Sequence, residues 1–198
     1  MKHLRPFLVV MMLFGGCLTG FSQSLTEFRA LLNDYGMTLT VPDGFAKTKV
    51  IPNDDMEYDY AIKYPDRDFE LRYAIRPILW KTYANDTIRK EIESQRPFRN
   101  SSYGTVLETI ILNITGGKEY QCRAFDKDAV KTEFNADWGA TSFVELNSGF
   151  GKGYKYCMIV TIHKDDVADA YYFYLSNTKE NFSANMDPLF HTLKFVNN

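Results

Sequence analysis

Polar and apolar residues alternate along two neighbouring segments, which is the pattern of a β-hairpin. In residues 57–64 the even positions are aromatic or aliphatic, and most odd positions are charged. After the polar turn 65–68, residues 69–76 alternate in the opposite phase, with Arg72 and Arg76 on the polar side. Such runs predict two paired strands with one buried and one charged face. The pattern therefore places both arginines on an exposed face of the sheet.

Further strands are predicted at 37–41 and in the C-terminal third of the chain. Residues 141–146, 154–163 and 168–175 are rich in aromatic and β-branched side chains, and polar or glycine-rich turns separate them. Residues 171–175 are apolar at every position. A strand without polar alternation is typical of the middle of a sheet that is covered on both faces. We therefore expect residues 168–175 to form a central strand.

Helical patterns lie between and around these strands. The first helix is expected to begin at Ser24, because Glu27 three residues later completes a capping box, and to end at Gly36. Residues 101–117 predict a helix with a stop at two glycines, although their β-branched content leaves a strand as the alternative. Other helices are expected at 85–95, after an Asp126 N-cap, and near 186–193.

The order of these elements resembles a known fold family. A turn at 43–45 is followed by the hairpin at 58–75, by helices, and by antiparallel strands that begin at Trp138 and Gly139. A short helix and the segment Leu193-Lys194-Phe195 close the chain. This order resembles the Mog1/PsbP-like α/β/α sandwich. The resemblance implies an α+β fold in which helices flank an antiparallel β-sheet, and a binding, assembly or accessory role without transferred catalytic residues.

The N-terminal segment has the layout of a secretory signal peptide. Lys2 and Arg5 precede the short apolar run 7–14, and Gly20 and Ser22 occupy the −3 and −1 positions of a cleavage site. We expect residues 1–22 to be removed and residues 23–198 to form a single domain. Cys17 offers the alternative of a bacterial lipoprotein signal, in which lipidation would anchor the domain to a membrane. The chain also resembles exported domains of Gram-negative envelopes, so a periplasmic or secreted location is predicted.

Composition and charge exclude several classes of partner. Of the 23 basic residues, Lys2 and Arg5 leave with the signal peptide, so 21 basic side chains face 25 acidic ones in the mature chain. No long run of one sign occurs, which argues against nucleic acid and against charge-driven binding to anionic lipid. After residue 23 no apolar stretch is long enough for a transmembrane helix. A membrane contact is therefore expected only if Cys17 is lipidated.

Two cysteines remain after cleavage, Cys122 and Cys157. An exported protein lies in a compartment where disulfides persist, so a Cys122–Cys157 bridge is one interpretation. The other is that both are free, buried thiols, which suits the position of Cys157 in an apolar run. No cluster of histidine or cysteine accompanies them, so a metal site is not predicted there.

The sequence contains no recognisable catalytic motif. His163 is separated from Cys157 by about 20 Å along a strand, which excludes a direct dyad, and we interpret it as a solvated turn residue. His191 is interpreted as a helix-surface or packing residue. Alternating acidic residues at 53–59 offer calcium ligands, but a charged edge that blocks strand addition explains them more simply. The glycine-rich turn 149–153 lacks P-loop spacing, and no cofactor or metal is predicted.

Four residues are candidates for ligand contact. Trp138 and Asp137 lie at a helix-to-strand junction, where Trp138 would stack on a ring and Asp137 would fix its polarity. The alternative is a buried tryptophan that closes the core, with Asp137 capping a turn. Arg72 and Arg76 form a second candidate surface on the polar face of the hairpin. The alternatives are that this face is only solvated, or that helices cover it as well.

These observations predict a non-enzymatic exported domain that binds a protein partner or a cell-envelope component through its sheet edge or hairpin face. A small-ligand carrier is one alternative, whose mark would be an apolar cavity lined by tyrosines. The other is a hydrolase with acidic catalytic residues such as Asp137 or Asp165, brought together by the fold.

Overall fold

A computed structural model describes residues 24–78, 86–94 and 96–196. The helices in these ranges are α1 (Leu25–Asp34), α2 (Asp86–Ser94), α3 (Arg96–Arg99), α4 (Tyr103–Thr115), α5 (Lys127–Phe134), α6 (Ser148–Gly151) and α7 (Glu180–Asn185), with a 3₁₀ turn at Asp187–Leu189. The strands are β1 (Met37–Leu39), β2 (Ala46–Lys47), β3 (Tyr60–Lys63), β4 (Glu70–Pro77), β5 (Cys122–Ala124), β6 (Trp138–Glu145), β7 (Tyr156–Lys164), β8 (Ala168–Ser176) and β9 (Leu193–Phe195).

A seven-stranded antiparallel sheet organises the molecule. Its strand order is β2-β3-β4-β8-β7-β6-β5, and β1 and β9 form a separate antiparallel pair. Strand β8 is the fourth of the seven and pairs along its whole length with β4 and β7. Residues 171–175 are fully buried there. The predicted central strand is therefore confirmed.

Each face of the sheet carries its own hydrophobic core. On the first face, side chains of α1, α5, α7 and the β1–β9 pair pack on the strands, including Phe28, Phe134, Phe182 and Phe195. On the second face, α4 and α6 pack on the strands through Leu107, Phe150 and their neighbours. The predicted α+β class, an antiparallel sheet between helices, is confirmed.

The helix ends follow the predicted signals. Ser24 and Glu27 form a complete capping box at α1, and the Asp126 carboxylate accepts two backbone N–H groups at the start of α5. Helix α4 covers 103–115 and ends at Gly116, whose left-handed conformation (φ 69°) suits glycine. The alternative of a strand in this segment is therefore wrong.

The hairpin β3–β4 forms as expected, but its polar face is not exposed to solvent. Helices α4 and α6 cover it, so Glu70 and Arg72 are buried beside Ala61 and Ala74. Local alternation identified the two faces of the hairpin but carried no information about the helices that cover the second face.

The C-terminal prediction of a helix near 186–193 is wrong. Helix α7 ends at Asn185, a 3₁₀ turn follows, and residues 193–195 form β9, which pairs with β1. Leu193 and Phe195 point into the core while Lys194 is exposed, which is the period of a strand. No helix in the described ranges has the length and apolar character needed to cross a bilayer.

Candidate functional site

Arg72 is buried within the second core and forms a charge pair with Glu70. Its side chain is 1% exposed, and its Nε donates to Glu70 Oε1 at 2.6 Å. Its Nη1 donates to the carbonyl of Phe150, and its guanidinium lies 4.8 Å from the ring centre of Tyr58. The expectation of an exposed Arg72 is wrong, because α6 places the Phe150 carbonyl over it.

Arg76 also serves the fold. Its Nη1 lies 3.2 Å from Asp59 Oδ2 and also donates to the carbonyl of Ile75, and its Nη2 donates to the carbonyl of Glu57. Burial raises the pKa of the Asp59 carboxyl, although Arg76 and the Ile75 N–H oppose that effect. The two arginines therefore hold the hairpin together and do not form a shared contact surface.

The structure places Asp137 and Trp138 at the end of the sheet, where both have internal partners. Trp138 is half-buried with its ring centre 4.5 Å from that of Tyr103. Asp137 accepts the backbone N–H of Asp165 at 3.0 Å and pairs with Lys131. Burial acts against ionisation of Asp137, but the Asp165 N–H and Lys131 outweigh it, so its pKa is lowered. This arrangement matches the turn-capping interpretation.

His163 is buried between two carboxylates, so its interpretation as a solvated turn residue is wrong. Its Nδ1 lies 2.7 Å from Asp169 Oδ1 and its Nε2 lies 2.9 Å from Asp165 Oδ1. The ring of Tyr103 covers it at 4.4 Å. Burial alone would lower the pKa of His163, but the two carboxylates outweigh it and the pKa is raised. His163 thus joins Asp165 of the β7–β8 turn to Asp169 at the start of β8.

We expect the contacts of His163 to make the free energy of unfolding depend on pH. Because the folded-state pKa of His163 lies above its ordinary value of 6.5, its contribution is complete below that value and is lost as pH rises through the folded-state pKa. The free energy of unfolding, measured with urea, should therefore decline as the pH rises from 6. The His163→Asn variant should not show this decline. The matched control is His191→Gln, which removes an exposed histidine paired with Glu133. An unchanged decline in His163→Asn would contradict the assignment.

The two cysteines are free thiols in the structure. Cys122 is exposed on β5, whereas Cys157 is buried on β7, and β6 lies between these strands. Two strand spacings separate them by about 10 Å, more than the roughly 7 Å that a disulfide spans between Cα atoms. The Cys122–Cys157 bridge is therefore not formed. Burial raises the pKa of both thiols.

The described part of the chain contains no group of three or more histidine, cysteine, aspartate or glutamate side chains that could hold a metal. Two residues of the acidic segment 53–59 have internal side-chain partners. The Asn53 side chain accepts the N–H groups of Asp55 and Met56, and Asp59 is occupied by Arg76 and Ile75.

A groove of about 850 Å³ lies at the β5 end of the sheet. We call it the edge groove, and its lining consists of residues 117–121 and 141–143 with Leu112, Arg123 and Met158. The residues come from the end of α4, the α4–β5 connection and strands β5, β6 and β7. The sheet thus provides a concave surface with both apolar and charged walls.

Strand β5 borders this groove and, among the strands in the described ranges, pairs with β6 alone. The Phe125 N–H donates to the Gly139 carbonyl, and Arg123 lies opposite Thr141. In an antiparallel ladder alternate residues point their backbone groups to the same side. Cys122 and Ala124 therefore direct their N–H and C=O groups away from β6, and both residues are exposed.

Aromatic side chains and lysines stand at one end of the edge groove. The rings of Phe143 and Tyr156 stack with their centres 5.8 Å apart, and Phe182 of α7 packs edge-on against Phe143. The Nζ atoms of Lys155 and Lys179 lie 5.0 Å and 5.3 Å from the ring centre of Tyr156. We call Phe143, Tyr156, Lys155 and Lys179 the lysine corner.

Sequence reasoning did not find the edge groove. Strand β5 has only three residues, and all are exposed, so it carries no hydrophobic pattern. The groove lining comes from distant segments that only strand pairing brings together. The sequence did predict binding through a sheet edge and a strand at 141–146. That strand supplies part of the groove lining, but its position next to the edge strand was not predicted.

Comparison with known proteins does not identify a family for this chain. No protein-family model matches the chain, and no curated protein matches it significantly.

Proposed function

We propose that this protein is a non-enzymatic binding module that holds an extended segment of a protein partner along β5 and in the edge groove. The observation that carries the proposal is the position of an open edge strand beside a cavity of about 850 Å³. An extended peptide adds to such an edge through main-chain hydrogen bonds, and the adjoining cavity accepts its side chains.

The state of the internal charged groups supports binding over acid–base catalysis. The Asp137 carboxylate accepts the backbone N–H of Asp165 and pairs with Lys131, whereas the Asp165 carboxylate lies beside His163. A glycosidase-type acid needs a raised pKa, whereas that of Asp137 is lowered. The fold therefore uses both carboxylates to fasten the β7–β8 turn.

The burial of the tyrosines supports a binding module over a small-ligand carrier. Five of them, which are Tyr60, Tyr73, Tyr171, Tyr172 and Tyr174, are at most 2% exposed and pack within the two cores. These side chains fill space within the two cores.

The proposal also covers the location of the protein and its family. We propose a periplasmic or secreted location on the layout of residues 1–22, which lie outside the described ranges. We also propose kinship with the Mog1/PsbP-like sandwich, and the antiparallel sheet between two helical layers supports it.

Ala124→Pro tests the proposed mode of binding. Proline removes an N–H that points away from β6, so strand addition loses a donor while the β5–β6 ladder keeps its hydrogen bonds. We expect at least about tenfold weaker binding of a fluorescein-labelled seven-residue peptide of alternating valine and glutamine, measured by fluorescence anisotropy.

The matched control is Ala124→Val, which keeps the donor and suits a strand. It should bind like the wild type, and both variants should keep the wild-type midpoint of urea unfolding. If the proline variant binds the peptide as tightly as Ala124→Val does, strand addition at β5 is wrong.

A further inference from the structure

Two ammonium groups converge on one aromatic pair at the end of the edge groove. Lys155 and Lys179 both approach the Tyr156 ring, and Lys179 also lies 5.7 Å from the ring centre of Phe143. Phe143 lines the groove, so Lys179 lies next to a wall of the groove and Lys155 lies one ring further away, beside Tyr156. Lysine ammonium groups gain a modest attraction from aromatic faces and still keep their capacity to bind an anion.

Neither lysine forms an ion pair with any residue that the structure describes. The nearby carboxylate of Glu145 is instead 3.4 Å from Lys118. Arg123, a further groove residue, also lacks an acidic partner in the described ranges, and Glu119 is the remaining acidic side chain of the lining. Glu145 also acts electrostatically on Lys155, and Glu108 acts on Tyr120 and Cys122 beside the groove. The cations Lys118, Arg123, Lys155 and Lys179 thus exceed the acids Glu108, Glu119 and Glu145 by one charge, whereas the formal net charge of the whole chain is −2.

The register of the sheet connects the lysine corner to β5. Ala124 lies opposite Ala140 and Cys122 lies opposite Ser142, so β5 followed from Ala124 to Cys122 leads toward Phe143. A strand added to β5 and extended past Cys122 therefore runs toward the end of the sheet at which Phe143 lies, the residue that the groove lining shares with the lysine corner. Its side chains would alternate between the two faces of the sheet.

Resting on the function proposed above, we propose that the partner segment is acidic. Its carboxylates lie between Lys155 and Lys179, and its apolar side chains lie over Phe143 and Met158. Complementary charge of this kind selects among extended segments that the main-chain hydrogen bonds of β5 cannot distinguish.

The test compares three labelled seven-residue peptides in which valine alternates with glutamate, glutamine or lysine. We expect the glutamate peptide to bind the wild-type protein about tenfold more tightly than the glutamine peptide, and the lysine peptide to bind most weakly. The double variant Lys155→Gln/Lys179→Gln should lose the preference for glutamate and keep its affinity for the glutamine peptide.

The control is Lys49→Gln/Lys194→Gln, which removes the same charge from exposed positions elsewhere. If this control loses the preference for the glutamate peptide to the same extent, the proposal of an acidic partner segment is wrong. Equal binding of the glutamate and glutamine peptides would also contradict it, whereas strand addition at β5 would still stand. If none of the peptides binds and Ala124→Pro has no effect, the proposed function itself fails. Heparin binding that depends on Lys155 and Lys179, without peptide binding, would assign the corner to an anionic glycan and overturn the proposal.

Discussion

Replacement of Arg72 by methionine is expected to lower the free energy of unfolding by about 3–5 kcal/mol. The guanidinium is 1% exposed and is the charged partner of Glu70, whose side chain is also nearly inaccessible. Methionine fills much of the same volume but leaves the Glu70 carboxylate and the Phe150 carbonyl without this donor. Removal of one member of a buried charge pair leaves the other charge unpaired in a medium of low polarity. Urea unfolding at pH 7 measures the loss.

The same buried pair predicts a partial rescue. Adding Glu70→Gln to Arg72→Met removes the stranded charge, so the double variant should be more stable than Arg72→Met alone. The matched control is Arg76→Met, whose side chain is 34% exposed and whose loss should cost about 1 kcal/mol or less. If Arg72→Met costs no more than Arg76→Met, the buried pair does not stabilise the second core.

Replacement of Tyr171 by phenylalanine is expected to raise the free energy of unfolding by about 1–3 kcal/mol. Tyr171 is fully buried, and its hydroxyl has no hydrogen-bond partner among the described residues. Folding therefore removes this hydroxyl from water without compensation, and phenylalanine avoids that cost while keeping the ring. Burial also raises the pKa of Tyr171, and the Asp169 carboxylate adds to that rise while Arg76 and Arg99 oppose it.

Tyr172, the next residue on β8, is the matched control. Its hydroxyl donates to the Leu193 carbonyl at 2.5 Å on the opposite face of the sheet. Tyr172→Phe should therefore lower the free energy of unfolding by about 1 kcal/mol. Denaturant unfolding of the two variants side by side should give shifts of opposite sign, and a loss of stability in Tyr171→Phe would show that its hydroxyl is satisfied in solution.

The predicted elements succeeded where the signal lay within a short window of sequence. The capping box of Ser24 and Glu27, the Asp126 cap and the stop at Gly116 depend on residues within one or two helical turns, and all three form. The apolar run 171–175 likewise indicated its own central position. Local hydrogen bonds and side-chain period are properties of the segment itself, so the sequence reveals them.

The candidate residues failed where their environment came from distant segments. Arg72 looked exposed because the hairpin alone has a polar face, and α6, almost eighty residues later, buries it. His163 looked solvated because it precedes a polar turn, yet Tyr103 and Asp169 enclose it. Charge and burial at these positions depend on long-range packing that no local pattern encodes.

The sequence by itself determined the α+β class, the hairpin, the central strand and most helix ends of this protein. Their causes are local, because the period of apolar residues, capping hydrogen bonds and glycine conformations act within a few residues of each other. Only the tertiary structure decided which charges are buried, that the cysteines stay apart, and that β5 forms an open edge beside the groove and the lysine corner. Those features arise from strand order and from the stacking of layers, which join residues that are far apart in the chain.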